Sequence, residues 1–595
     1  MRKEKCVFYG LLLILVSSTS LLSSQGIEIE SGASIDITGT ASIEINNGSL
    51  INSGTYTKGD EILKFSGDES GELIASNTTQ INELWVSNTG GIKIEAGTST
   101  AVDIDDVFVD KSSLLTVESG DYIGVSGAIT LEADETSSAE FFNNVDSRFD
   151  NIDQECFFKG GEWTFFSPPV DMLASDVFPD MTLATEGLSD PNADYWLVEY
   201  SQSSRASDGS GMKDISDNAT QLHRGQGYMV WVYNDIVEKY SYTSSDEANL
   251  LDVSVSNTQE LTESGWNLVG NPFTYTFSYD NVFDCAANVS DFMGAVYVWD
   301  DGGYKEWVSG LGDVEASSIR PLQAFFVKMD RPESPSGDES YTNFCMDRGS
   351  CDCASVALKS DHVSYGASSD VDALTITVMA DGQRDKTYLR VHGDATLGFD
   401  KRWDAQKFEL TSRSRPIIYS KDDDGFEYGI NSIPISGNNT EEVPLMITLP
   451  STDNAVQLTF DIQGNEAYDY TLYDKQTKTL SPIVNGQTIV VDTDGEATIN
   501  DRFFIQFANT YATAIPEASD AEVKTFADVY RDSKSLFVNA YDDNVYVGVY
   551  DITGRAVLEQ PLYKDETVSL DLGADFYLVK MTKGREVFVQ KVVVK

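Results

Sequence analysis

The chain has 595 residues, enough for several domains and several separate cores at about 100–200 residues each. Its content of 41% hydrophobic and 23% charged residues is that of a folded globular protein and excludes wholesale disorder. Acidic residues number 96 against 41 basic ones, and the resulting net charge of -55 repels nucleic acid and anionic lipid while favouring solubility and cation association.

Residues 1–25 read as a signal peptide. Arg2, Lys3 and Lys5 form a positive start, Val7 to Val16 an apolar core, and Ser17 to Ser24 a small polar run. That apolar core is well short of the ~20 residues that span a bilayer. Cys6 precedes it, where no lipid-anchored cysteine sits. No later segment has the length of a transmembrane anchor, so a secreted or surface location is expected after cleavage of the leader.

The segment 26–150 opens with a short repeat. Ile27-Glu-Ile-Glu-Ser-Gly-Ala-Ser is followed by Ile35-Asp-Ile-Thr-Gly-Thr-Ala-Ser and Ile43-Glu-Ile-Asn-Asn-Gly-Ser-Leu. Alternation puts the isoleucines on one strand face, and Gly with Ser or Asn supplies the turns. One such unit buries too little by itself, so the units are expected to stack into a right-handed parallel β-solenoid. Related runs occur at Ile92-Lys-Ile-Glu, Val102-Asp-Ile-Asp, Leu114-Leu-Thr-Val and Ala128-Ile-Thr-Leu. An irregular β-sandwich is the alternative.

The segment 155–350 holds a longer repeat in two copies. Trp163-Thr-Phe-Phe-Ser-Pro-Pro matches Trp266-Asn-Leu-Val-Gly-Asn-Pro, and Asp176-Val-Phe matches Asn281-Val-Phe. Tyr195-Trp-Leu-Val matches Val296-Tyr-Val-Trp, and Arg224-Gly-Gln-Gly matches Arg320-Pro-Leu-Gln. The aromatics in these strands read first as core. Trp196, Trp231, Trp299 and Trp307 nevertheless motivate an alternative in which they stack on sugars.

Of six cysteines, Cys6 leaves with the leader, and some of Cys156, Cys285, Cys345, Cys351 and Cys353 are expected to pair in an oxidising compartment. The segment 354–510 alternates like a β-sandwich, as in Leu374-Thr-Ile-Thr-Val and Val456-Gln-Leu-Thr-Phe. A polar linker then leads to a last domain, 523–595. The expected fold class is all-β: an N-terminal β-solenoid, β-sandwich domains and a C-terminal Ig-like sandwich.

The last domain carries the most specific pattern. Val545-Tyr-Val-Gly-Val-Tyr-Asp551-Ile-Thr-Gly554-Arg555-Ala-Val557 is followed by Phe576-Tyr577-Leu-Val-Lys580 and by Gln590-Lys591-Val-Val-Val-Lys595. This resembles the type A C-terminal sorting domain of type IX secretion cargo. The resemblance implies a small Ig-like sandwich read by outer-membrane secretion machinery, with Asp551, Gly554, Arg555, Val557, Tyr577, Lys580 and Lys591 as the sorting signal. A glycine common before the Phe576 position is replaced by Asp575. Asp394-Ala-Thr-Leu-Gly-Phe-Asp400, Trp403-Asp404-Ala-Gln-Lys407, Tyr428-Gly-Ile-Asn431 and Asp501-Arg-Phe-Phe-Ile-Gln-Phe507 resemble long surface proteins of the same group.

Signs of chemistry are sparse. Three histidines, His223, His362 and His392, occur without an HExxH motif, and no Gly-x-Ser-x-Gly elbow or phosphate loop is present, so no catalytic residue is assigned and the chain is not expected to be an enzyme. No cofactor is expected beyond calcium. Asp422 and Asp424, with Asp492 and Asp494, place carboxylates around tight turns as that cation requires, though neither pair completes an EF-hand loop. The chain is therefore expected to be an exported, adhesin-like surface protein, with polysaccharide capture as the alternative.

Overall fold

A computed structural model of the protein describes residues 6–8, 11–15, 21–24, 26–96, 102–117, 121, 123–143, 148–187, 190–202, 204–205, 210–243, 250–257, 265–284, 286–300, 302–330, 340–347, 371–408, 415–434, 441–450, 455–464, 468–493, 495–509, 527–531, 535–541, 543, 545–551, 555–564, 566–572, 575–583 and 586–594. Of these residues 64% are strand and 5% helix, so the described protein is all-β, and it includes a β-solenoid of about 5 turns. The chain divides into two compact units, and the second comprises residues 437–439 and 508–595.

Parallel strands stack along the solenoid. Ile27 lies opposite Leu50, Leu50 opposite Leu73, Leu73 opposite Ile94 and Ile94 opposite Val117, so a turn takes 21 to 23 residues. The eight-residue spacing seen in the sequence is thus one side of a turn, which corrects the expectation that the eight-residue units stack on one another. Ile27, Ile35 and Ile43 sit on three successive strands of a single turn, Ile27–Ile29, Ser34–Thr38 and Thr40–Asn46. Their side chains, with Ile29, Ile37 and Ile45, all point inward and are buried. Alternation along a strand fixes which residues face in, but not which strands are neighbours; only the closure of the coil decides that.

Corners are held by buried polar ladders. Asn52 donates from Nδ2 to Thr79 Oγ1 at 2.9 Å and accepts the Gly54 N–H at 3.0 Å. At another corner, Asn88 donates to Glu69 O at 2.9 Å and accepts the Gly90 N–H at 2.7 Å. Gly54 is required sterically, because a Cβ there would lie 2.3 Å from Ala33 O of the adjacent turn.

Both ends of the solenoid are covered. Cys6–Phe8, Leu11–Leu15 and Leu21–Ser24, from the segment read as a leader, pair in parallel with the three strands of the first turn. At the other end Arg148–Phe158 pairs antiparallel with Ile236–Thr243 of the first repeat copy. The neighbouring edge strand Glu140–Asn143 is met by the second copy: Phe141 N–H donates to Thr274 O at 2.8 Å, and Thr274 Oγ1 donates to Phe141 O at 2.6 Å. Each copy closes one sheet edge, which would otherwise present unpaired backbone groups.

The two copies face each other across a pseudo-twofold axis. Phe166 lies opposite Tyr228 in one, and Val269 opposite Phe325 in the other. That register aligns Gln226 with Gln323, one residue away from the Arg224-with-Arg320 match drawn from sequence. The arginine identity was misleading, because a one-residue slip would have turned every strand residue to the opposite face. Likewise Leu197 corresponds to Val296, since they pair with Val230 and Val327, which shifts the Tyr195 match by two residues and keeps its face. The symmetry shows at the centre: Ser167 N–H donates to Leu322 O and Gly270 N–H to Gly225 O, both at 2.8 Å. Phe165, Met229, Leu268, Tyr297 and Phe326 share the core between the copies.

Residues 372–507 form an 11-stranded sheet folded over Leu374, Ile376, Leu458, Phe460 and Ile505. The start of the segment read from sequence as 354–510 lies outside the described residues up to residue 370. The segment Asp394–Phe408 straps this sheet to the second repeat copy. Lys401 O accepts the Gly294 N–H at 2.6 Å, Arg402 O accepts the Ser309 hydroxyl at 2.8 Å, and Gln406 O accepts the Tyr297 hydroxyl at 2.8 Å. Phe408 lies on Trp266 with ring centroids 3.9 Å apart. Beneath the strap Asp404 is buried, accepting N–H donors from Asp400 at 2.7 Å and Ser432 at 2.6 Å, and burial pushes its carboxyl up to about 7. Buried Arg390 donates to Val308 O at 2.8 Å and Ser309 O at 3.1 Å.

The second unit has its own core. A three-stranded sheet of Ala527–Arg531, Ser535–Ala540 and Thr567–Asp571 is joined by a four-stranded sheet of Ala556–Leu562, Val545–Asp551, Asp575–Lys583 and Glu586–Val594. Leu536, Val538, Val545, Val547, Val549, Val579 and Met581 fill the space between them. All pairings in the four-stranded sheet are antiparallel, and its last strand is the chain's final one.

Candidate functional site

Of the positions read from sequence as a sorting signal, Asp551, Val557, Tyr577, Lys580 and Lys591 fall on the four-stranded sheet of the second unit. Asp551 organises the turn: its N–H donates to Arg555 O at 3.0 Å, and its Oδ1 accepts the Arg555 N–H at 3.1 Å. The Arg555 guanidinium is 3.7 Å from Asp551 Oδ2 and its side chain is 82% exposed, so this ion pair contributes less than about 1 kcal/mol. Its charge is presented to solvent. Gly554 lies outside the described residues.

Tyr577 points into the core beside Val579, whereas Lys580 between Val579 and Met581 is exposed. Lys580 sits opposite Gly548, and Lys591 is opposite Leu578 in backbone register. The sheet's outer face also carries exposed Tyr546, Val557 and Leu578, residues a solvated sheet normally replaces with polar ones. Tyr550 reaches across it to donate its hydroxyl to Glu559 at 2.8 Å. Gly548 lets that ring lie flat, since a Cβ there would be 2.5 Å from the Tyr550 hydroxyl. The arrangement is an apolar strip studded with Lys580 and Arg555 in a chain that is otherwise strongly acidic. Sequence reasoning found the hairpin and strand motifs but missed Tyr546 and Leu578. Their alternation with the buried valines is the signal that points to them.

The carboxylates proposed for calcium are differently occupied. Asp422 accepts the Phe426 N–H at 2.8 Å and the Tyr428 hydroxyl at 2.7 Å, one on each oxygen, and so holds its own turn. Asp424 is exposed on that turn. Asp492 is exposed at a strand end, with its carbonyl accepting from Arg502 at 2.7 Å, and Asp494 lies outside the described residues. Among the described residues no group of three or more His, Cys, Asp or Glu side chains is placed to hold a metal.

The four tryptophans do not form one stripe. Trp307 is buried, donating to Asp280 at 3.1 Å, and Trp299 stacks on Phe165 at 5.9 Å between the copies. Trp196 is buried with its indole N–H on Gly187 O at 2.6 Å. Trp196, half-buried Trp231 and Tyr233 pack edge to face with centroids 4.8 to 5.1 Å apart, and Tyr233 is 55% exposed. Tyr233, just past the end of its strand, was not singled out in the sequence.

His223 lies 3.5 Å from Asp171 at the surface, and His362 lies outside the described residues. His392 stacks on Trp403 at 4.0 Å, and its Nδ1 accepts the Asp394 N–H at 3.2 Å. Burial and then the Arg390 charge hold the His392 pKa below the usual histidine value. The imidazole thereby packs against the strap. Cys156, whose thiol is pushed up to about 12 by burial, has no disulfide partner among the described residues, while Cys285, Cys351 and Cys353 lie outside them. Cys345 is fixed by its N–H on Asn288 Oδ1 at 2.9 Å.

No protein family matches the chain, and no curated protein does. Among solved structures a chain described as "Biofilm associated protein - BSP domain" is matched at 8% identity over 74% of this chain and 92% of that one, with a TM-score of 0.11. An overlap at that score establishes no common fold. No described helix is long and apolar enough to cross a membrane.

Proposed function

We propose that this protein is an exported cell-surface structural or adhesive protein, delivered by type IX secretion through its residues 523–595. The observation that carries the reading is the second unit: it has its own core and presents the Asp551–Arg555 turn and the exposed Lys580 strand on one sheet. A sorting label has to be folded and separable from its cargo, and a unit with a core of its own supports that reading. The solenoid, the paired copies and the strapped sheet make up the passenger, for which we assign no catalysis. Deletion of residues 520–595 tests the address. The passenger is expected to accumulate in the periplasm, and undiminished display at the cell surface contradicts the reading.

A second reading, capture of a neutral polysaccharide, is supported by exposed Tyr233 held rigidly against Trp231 and Trp196. Rings fixed this way offer a preorganised stacking platform, and the net charge of -55 disfavours polyanionic glycans. A glycan array with the intact protein tests it.

A further inference from the structure

The first turn of the solenoid has one side committed to the second turn and one side turned the other way. Ile27 donates its N–H to Ser49 O, Ile29 and Ala33 accept from Ser53 and Thr55, Gly39 accepts from Asp60, and Asn47 donates to Ser66. The odd-numbered residues of these strands therefore spend their backbone groups on the next turn. Since backbone groups alternate along a strand, Glu28, Asp36, Thr38, Ser42 and Glu44 turn theirs toward the outer end. There they meet the strands of residues 6–24, in the registers Val7 with Glu28, Leu13 with Asp36 and Ser23 with Glu44.

Those strands belong to the segment read as a signal peptide, so the export reading removes them. What remains is a three-strand edge with no backbone partner, around the open end of a core built from Ile27, Ile29, Ile35, Ile37, Ile43 and Ile45. An edge of that kind is a template for pairing with another strand. The opposite end of the same solenoid is closed on both sheets, by Ile236–Thr243 and by Thr274.

We infer that, in the leaderless protein, this open end of the first turn pairs with the same end of a second copy. The inference rests on the export reading for the leader's removal. A twofold axis across the end runs each edge strand antiparallel to its counterpart, so the contact is self-complementary, and with the far end closed the assembly stops at two chains. The edge strands carry Glu28, Asp36 and Glu44 outward, so the two copies bring like charges together. Screening relieves this, with a Debye length of about 8 Å at physiological ionic strength, and the dimer strengthens as salt is raised.

The test is sedimentation and light scattering of the chain produced from Gly26, alongside the chain retaining residues 1–25. The Gly26 chain is expected to dimerise and the longer one to remain monomeric. Glu28→Pro or Asp36→Pro removes only an N–H facing the open end, which an edge strand tolerates, and either is expected to weaken the dimer at least about tenfold with far-UV circular dichroism unchanged. A Gly26 chain that stays monomeric at every salt concentration overturns the inference, as does equal dimerisation of the proline variants or of the chain that keeps its leader. Mass spectrometry of the exported protein reads the first residue independently. Retention of the leader there refutes its removal, the premise taken from the export reading, and leaves the pairing result standing.

Discussion

Phe408 is the side chain on which the joint between the second repeat copy and the 372–507 sheet turns, and Phe408→Ala tests that joint. The ring is buried, lies 3.9 Å from Trp266 between centroids, and also meets Tyr304 at 4.8 Å, Phe326 at 4.9 Å and Tyr297 at 5.4 Å. Removing a buried phenylalanine costs about 3–5 kcal/mol, and the value belongs near the top of that range because four aromatic neighbours lose a partner at once. The strap cannot collapse to fill the space, since its backbone is tied at Gly294, Ser309 and Tyr297. Hydrogen exchange read by mass spectrometry over Trp266–Gly270 and Ala324–Met329 is the assay. Exchange there is expected to accelerate more than about 100-fold, the factor that corresponds to a loss near 3 kcal/mol. Peptides of the solenoid between Ile27 and Val86 serve as the reference and are expected to be unchanged. Acceleration of less than about threefold at the joint would refute the assignment of Phe408 as its anchor.

Asp404, with its carboxyl raised to about 7 from an ordinary 3.8, holds a proton in the folded state that the unfolded chain releases. Its contribution to stability is therefore greatest at acid pH and is lost as pH rises from about 4 to 7, by up to about 1.4 kcal/mol per pH unit, with no further change above. Asp404→Asn is expected to flatten the difference in melting temperature between pH 5 and pH 8, and an unchanged slope counts against it. Gly54→Ala forces a Cβ against Ala33 O and is expected to lower the unfolding midpoint of the solenoid, while Ser53→Ala at the neighbouring position is expected to be nearly silent in the same denaturant titration. Tyr233→Ala is expected to leave melting within about 1 kcal/mol of the parent, because the ring is 55% exposed, while abolishing any glycan-array signal. A signal that survives the change places the sugar elsewhere.

Much of the fold was legible because strand alternation writes itself into sequence. The isoleucines from Ile27 to Ile45 announce one buried face, and the Gly, Ser and Asn between them announce its turns. The length of a turn was not legible, since an eight-residue spacing is satisfied equally by stacked units and by successive sides of one coil. Register between the repeat copies failed at Arg224 for a related reason: a matching residue type says nothing about pleat, and the pairings of Phe166 with Tyr228 and Val269 with Phe325 settle it. The tryptophans were hardest to read. Trp307 and Trp299 look alike in the sequence, yet one is buried on Asp280 and the other stacks against the partner copy. That difference arises from contacts across long sequence separations. The strap motif, from Asp394 to Lys407, was recognised only as a recurring pattern, and its role at the joint follows from partners a hundred residues away such as Tyr297 and Gly294.

The most direct measurement of the address claim is a transfer experiment. Residues 508–595, which form a compact unit with their own core, are fused behind an otherwise periplasmic reporter in cells that possess a type IX system, and protease accessibility of the reporter on intact cells is read. The reporter is predicted to reach the exterior, and to fail to do so when Arg555 and Lys580 are both changed to Glu. A reporter that remains protected inside the cells, with the unit intact and folded, would contradict the account.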